Sequence, residues 1–175
     1  MTQVLLVRGS LLEQNVEAVV NAANNGMRGG GGIDGATHHA AGKDLLAELR
    51  EKAPHGCPTG GVIVTGGHKT PFKAILHTPG PAWKGGGRGE ADALAACYRN
   101  CLDEADRIGL RSIGLPSIST GIYGYPLDEA APLAIQTVQD WIEGHPDTSV
   151  ERIVFAMYGG EEFARFKKAM AKRTD

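Results

Sequence analysis

Apolar residues along the chain fall into two alternating patterns. Short aliphatic or β-branched runs at Val4–Val7, Ala18–Val20, Val62–Thr65, Ala74–His77, Ser112–Leu115 and Ile153–Met157 predict largely buried strands, each ending near glycine, proline or polar residues. Between them, helical spacing covers Ile33–Lys52, with a break around Gly42, and then Glu90–Arg107, Leu127–Glu143 and Glu161–Lys172. Strands that alternate with helices predict a layered α/β fold. That alternation favours a mainly parallel sheet covered on both faces, with ligands bound beyond the carboxyl ends of its strands.

Length and charge narrow the functional classes. At 175 residues the chain buries one good core and is short for two, so residues 1–175 are expected to form a single domain. A formal net charge of -2 supplies no basic field for a run of phosphates, so nucleic-acid binding is not expected as its main role. Cys57, Cys97 and Cys101 are odd in number and lack metal-ligand spacing with histidine, which points away from both a disulfide framework and a metal site. The expectation is a cytoplasmic protein without a membrane span or a secretory leader, and most simply a monomer.

The 25 glycines are unevenly spent. The densest cluster lies in NAANNGMRGGGGIDGA, where a strand passes through Gly29, Gly30, Gly31 and Gly32 into a helix near Ile33. Successive glycines let a backbone approach a ligand closely, and the helix start offers unpaired N–H groups to a diphosphate. The segment carries neither the lysine of a P-loop nor the spacing of a dinucleotide fingerprint. A second junction of the same kind, SISTGIYGYP, offers Ser119, Thr120 and the amides of Gly121, Ile122 and Tyr123 as donors to the same anion. Turn geometry alone would also account for either loop. Within the first loop, Asn21, Ala22, Asn24 and Asp34 stand beside the expected phosphate site. An asparagine amide can grip a pair of ribose hydroxyls, and a carboxylate can take a proton from water. Asp34 could equally be a helix-start acid. His38 and His39 are adjacent within a predicted helix and face different ways, while His68 and His77 read as strand-end or packing residues and Trp83 as an apolar anchor.

Taken together, NAANNGMRGGGGIDGATHHAAG, CPTG at Cys57–Gly60, HTPGPAW at His77–Trp83 and STGIYGYP resemble a macrodomain of the MacroD-type branch, in order and over nearly the whole chain. The resemblance implies a three-layer α/β/α sandwich whose central sheet is mixed and mostly parallel. It also implies an ADP-ribose site with the diphosphate between the Gly29–Ile33 and Ser119–Tyr123 loops. Asn24 would then orient the distal ribose and Asp34 activate or place the attacking water. Members of this branch remove ADP-ribose from acidic side chains and deacetylate O-acetyl-ADP-ribose, with no metal or cofactor; the implied partners are ADP-ribose, ADP-ribosylated proteins and O-acetyl-ADP-ribose. Tyr158 matches a strand-end aromatic that contacts adenine, alongside Leu11. One departure stands out: many macrodomains carry an acid after the glycine that ends the first strand, and here Gly9 is followed by Ser10. The competing reading is a module that holds ADP-ribose without cleaving anything.

Overall fold

Alternating burial along the strands explains how the layers assemble. The computed structural model describes residues 1–174. Its strands are β1 (Gln3–Arg8), β2 (Ala18–Ala23), β3 (Ile63–Thr65), β4 (Ala74–Pro79), β5 (Ser112–Leu115) and β6 (Arg152–Met157). The helices are α1 (Gly32–Ala41), α2 (Lys43–Lys52), α3 (Glu90–Arg107), α4 (Leu127–Gly144) and α5 (Gly160–Thr174). Among the described residues the strands form one six-stranded sheet in the order β1-β6-β5-β2-β4-β3. On one face Val19, Ile75, Val154 and Ala156 pack with Leu45 and Leu49 of α2. Their neighbours in sequence, Val20, Leu76, Ile153 and Phe155, turn to the other face and pack with α3, α4 and α5 through residues such as Tyr98, Ile135 and Phe166. Successive strand residues point to opposite faces, and here both faces are covered.

The sheet is mixed. All pairs are parallel except β3 with β4, which run antiparallel. Strand and helix alternation alone suggests a parallel sheet; the exception arises because residues 66–73 join these strands without a helix, and a parallel partner needs a longer crossover. Gly67 makes that return possible, since a Cβ there would come within 1.9 Å of the Phe72 carbonyl oxygen. The break at Gly42 falls where the sequence places it: φ is 85°, and its N–H closes α1 on the His38 carbonyl at 3.0 Å.

The Lys84–Gly89 stretch reads from sequence as a loose glycine turn, yet it is organised around one carboxylate. Glu90, only 3% exposed at the start of α3, accepts the backbone N–H groups of Lys84 (2.8 Å), Gly86 (2.9 Å) and Arg88 (2.6 Å). Those donors, that of Lys84 first, hold its pKa down at about 2.

Candidate functional site

Beside β2, the neighbouring strand β5 runs parallel, but their following helices cover opposite faces of the sheet. The chain therefore parts at their carboxyl ends and opens a crevice, the position where open α/β sheets bind ligands. A cleft of about 630 Å³ lies there, walled by the loop after β2 and the loop after β5. Gly31 and Ile122 face each other across it, a Cβ on Gly31 lying 3.9 Å from the Ile122 Cδ1.

Asn24 holds the first loop in shape. Its Nδ2 donates to the Gly29 carbonyl (2.8 Å) and its Oδ1 accepts the Met27 N–H (3.1 Å). Met27 sits at a positive φ of 57° inside the apolar layer under this loop. Beyond the bend, Gly31 caps α1 without any side-chain bond, so the first-turn amides are open toward the cleft. Asp34 occupies that first turn and is 4% exposed. Its Oδ1 accepts Nδ2–H of Asn21 at 2.8 Å. The other oxygen, Oδ2, lies beside Gly30 together with Asn24 Nδ2: a Cβ on Gly30 would stand 3.2 Å from the first and 3.3 Å from the second. Only a residue without a side chain leaves the space between them open. Burial pushes the Asp34 carboxyl above its ordinary value of 3.8, against the opposing pull of the Asn21 hydrogen bond and of His38. His38 is one helical turn on, its Nε2 3.5 Å from Asp34 Oδ1. His38 and His39 carry no site signature in the sequence, yet the structure brings His38 to the site.

In the second loop three carbonyls are consumed internally. The Ser119 carbonyl accepts from Tyr125 N–H, Gly121 from Gly124, and Tyr123 from Trp83, all within 3.0 Å. Gly121, Ile122 and Tyr123 themselves line the cleft. Ser119 adopts a left-handed φ of 68°, and its buried hydroxyl has no partner among the described residues. It sits on Gly80, where a Cβ would come within 2.2 Å of Ser119 Oγ. Thr120 turns its hydroxyl to Ser117 at 2.7 Å. Trp83 packs on Tyr125 with ring centroids 4.7 Å apart, anchoring the loop as the sequence suggests.

At the far end Ser10, Leu11, Ala156, Tyr158 and Glu162 line the cleft. Ser10 Oγ caps the short 3₁₀ turn Leu11–Glu13 by accepting Leu12 N–H at 3.3 Å. Tyr158 is 81% exposed and Ile122 92%, unusual values for large apolar groups and suited to covering a bound ring or chain.

Of the residues expected from sequence, Ser10, Leu11, Ala22, Asn24, Gly30, Gly31, Gly32, Ile33, Asp34, Ser119, Thr120, Gly121, Ile122, Tyr123 and Tyr158 line this one cleft. Two do not. Asn21 lies wholly buried behind Asp34, because strand alternation points it into the layer beneath the loop. Gly29 is drawn back by its bond to Asn24 and packs against the His38 ring. Glu162 was not legible as a lining residue; its signal is its position in the first turn of the helix that follows Tyr158. Among the described residues no group of three or more His, Cys, Asp or Glu side chains could hold a metal ion, and no helix is long and apolar enough to cross a membrane.

Known proteins are similar to this chain in sequence and fold. The family model of the Macro domain matches residues 20–134. A macro domain-containing protein of Chlorobaculum tepidum is 43% identical over 165 residues, covering 94% of either chain. Another, from Lactiplantibacillus plantarum, is 41% identical over 175 residues and covers 100% of both. A mutant of the Oceanobacillus iheyensis macrodomain solved with ADPR superposes with a TM-score of 0.91 at 36% identity, over 97% of this chain and 92% of that one. The Trypanosoma brucei macrodomain in complex with ADP-ribose gives 0.85 at 38% identity, over 95% of this chain and 68% of that one.

Proposed function

This chain belongs to the Macro domain family, and from that premise we propose that it binds ADP-ribose in the cleft and hydrolyses esters made at the distal ribose. The substrates are proteins mono-ADP-ribosylated on aspartate or glutamate, and O-acetyl-ADP-ribose. The diphosphate is held between the open first-turn amides of α1 and those of Gly121 to Tyr123, where dipoles and N–H groups from two loops favour an anion. Adenine lies toward Tyr158 and Ser10, and the distal ribose toward Asn24 and Asp34.

The observation that carries the hydrolytic reading is the state of Asp34. One oxygen is tied to Asn21, the other is presented beside Asn24 across Gly30, and burial makes the group a stronger proton acceptor than an ordinary carboxylate. A buried carboxylate costs stability, and a pocket that only binds a diphosphate gains nothing from it. In the proposed step a water gives its proton to Asp34 Oδ2 while its oxygen bonds to the ester's carbonyl carbon or to the ribose anomeric carbon. The ester C–O bond under attack breaks, the proton passes to the departing oxygen, and the products are the free carboxylic acid and ADP-ribose.

A second reading rests on Asn24. Its amide is committed to Gly29 and Met27, a loop-shaping role that a non-catalytic ADP-ribose reader would need equally. Calorimetric titration with ADP-ribose, paired with release of ADP-ribose from a glutamate-modified protein, separates the two. Binding with release supports the hydrolase, binding without release the reader, and no binding at millimolar ADP-ribose removes both.

A further inference from the structure

Behind the cleft a chain of hydrogen bonds runs from Asp34 into the sheet. Asn21 Nδ2 lies 2.8 Å from Asp34 Oδ1 and 3.0 Å from His77 Nδ1, so its two hydrogens have two acceptors. On the far side of the imidazole, Nε2 lies 2.9 Å from Thr65 Oγ1, and that hydroxyl reaches the Gly66 carbonyl at 3.1 Å. A hydroxyl has one hydrogen. Spent on Gly66, it leaves Thr65 Oγ1 to accept from His77 Nε2–H, and His77 Nδ1 is then a bare lone pair facing Asn21. Asn21, Thr65 and His77 are each 2% exposed or less, so water does not compete for these bonds.

We infer that His77 is a positioning residue for the proposed reaction: fixed as its Nε2–H tautomer by Thr65, it orients the Asn21 amide so that Nδ2 donates to Asp34 Oδ1 and Oδ2 is left facing the cleft. This rests on the hydrolytic role proposed for Asp34. The alternative tautomer would offer Nδ1–H and draw Asn21 Oδ1 toward the ring. The flipped amide would then set an oxygen against the Asp34 carboxylate, or lose that contact altogether. In the orientation observed, Asn21 Oδ1 is buried without a partner among the described residues. Leaving it so has a cost, and the amide stays there because two acceptors outweigh one. Burial also holds the pKa of the ring down at about 3, with His38 and His68 lowering it further and Glu48 opposing, so the ring is neutral at pH 7 and Thr65 decides which nitrogen keeps the hydrogen. Among the described residues, the titratable groups that act on the relay are those three and Asp34 itself: His38 on α1, Glu48 on α2, and His68 in the turn between β3 and β4.

Asparagine at position 77 can place its Oδ1 where the ring has Nδ1, whereas glutamine reaches the Nε2 position and not the other. The relay therefore distinguishes His77→Asn from His77→Gln, two changes that both leave space in the core. With the Asn21 donor lost, the Asp34 carboxyl titrates about one pH unit higher, a shift on the scale of a hydrogen bond to a charged group. The expected results are a raised Asp34 midpoint by carboxyl ¹³C NMR in His77→Gln and in Thr65→Val, and a midpoint close to wild type in His77→Asn. The acid limb of kcat/KM should move with that midpoint, and turnover at pH 7 should fall about tenfold or more in His77→Gln. ADP-ribose affinity should change by less than about twofold, because the relay touches no part of the diphosphate site. Ring ¹⁵N shifts of wild-type His77 give an independent reading that needs no variant to fold: protonated Nε2 and bare Nδ1 support the relay, and the reverse overturns it. Equal Asp34 midpoints in the asparagine and glutamine variants would overturn it as well. If the NMR results hold while wild-type protein releases no ADP-ribose, the relay stands and the hydrolytic reading falls.

Discussion

Replacing Asp34 by asparagine separates what the carboxylate does for chemistry from what it costs the fold. The two side chains are nearly the same shape, and asparagine keeps an oxygen for the Asn21 donor at 2.8 Å. What it loses is the ability to take a proton. Turnover of a glutamyl ADP-ribose ester should therefore fall by about a hundredfold or more, the usual scale for a general base, with ADP-ribose affinity little changed. Stability should move the other way. The folded-state pKa of Asp34 is raised by burial above 3.8, so its contribution is intact below the unfolded value and is lost as pH rises through the folded one. Once ionised, the group bears its desolvation with the Asn21 hydrogen bond and the His38 contact as the partners that offset it among the described residues, and the neutral amide does not bear that cost. Relief of about 1 kcal/mol, the low end for a poorly satisfied buried polar group, would raise Tm by about 2–4 °C in a chain of this size. The gain should shrink as pH falls toward 3.8. Steady-state kinetics and thermal melts at pH 7 and pH 4 give both halves. Activity within a few-fold of wild type, or a Tm that drops at pH 7, would refute the reasoning.

Three further changes probe other parts of the site. Gly30→Ala places a methyl 3.2 Å from Asp34 Oδ2 and 3.3 Å from Asn24 Nδ2 without demanding a left-handed backbone, so turnover should fall by about tenfold while Tm changes by no more than about 2 °C; unchanged turnover would show that the reacting atoms lie elsewhere. Ser10→Asp keeps the cap on Leu12 and adds a charged acceptor beside Tyr158, and should tighten ADP-ribose by about 1 kcal/mol with no gain for IDP-ribose, whose base lacks the amino group; calorimetry that finds equal gains for both would move adenine away from this residue. Glu90→Gln should lower Tm at neutral pH, because a carboxyl depressed to about 2 contributes stability above its unfolded value of 4.5 and loses it as pH falls through the folded one; a Tm difference that does not narrow between pH 5 and pH 3 would contradict the loop-anchoring role.

The strands and long helices were legible because each obeys a local rule. The apolar run Ile153–Met157 and the apolar spacing of Glu90–Arg107 need no knowledge of the rest of the chain. Two glycine-rich junctions were likewise enough to locate the cleft, since glycine is spent where backbone must approach a ligand or another strand. What stayed hidden depends on partners distant in sequence. The direction of β3 follows from a return without a helix, and the Leu11–Glu13 turn is too short to show a period. Nothing local says that Asn21 points beneath Asp34 instead of into the cleft, or that His77 is tied on both sides of its ring, because those bonds span 13, 56 and 12 residues. The three donors to Glu90 are close in sequence but are backbone groups, which carry no residue signature.

The most direct test of the account is a single-turnover reaction of wild-type protein with a substrate mono-ADP-ribosylated on glutamate, run in ¹⁸O-labelled water and followed by mass spectrometry. The expected result is release of free ADP-ribose well above the rate in buffer, with one labelled oxygen per event in either the carboxyl or the ribose product, and release reduced about a hundredfold by Asp34→Asn. A protein that binds ADP-ribose yet leaves the ester intact, with no label in either product, would contradict it.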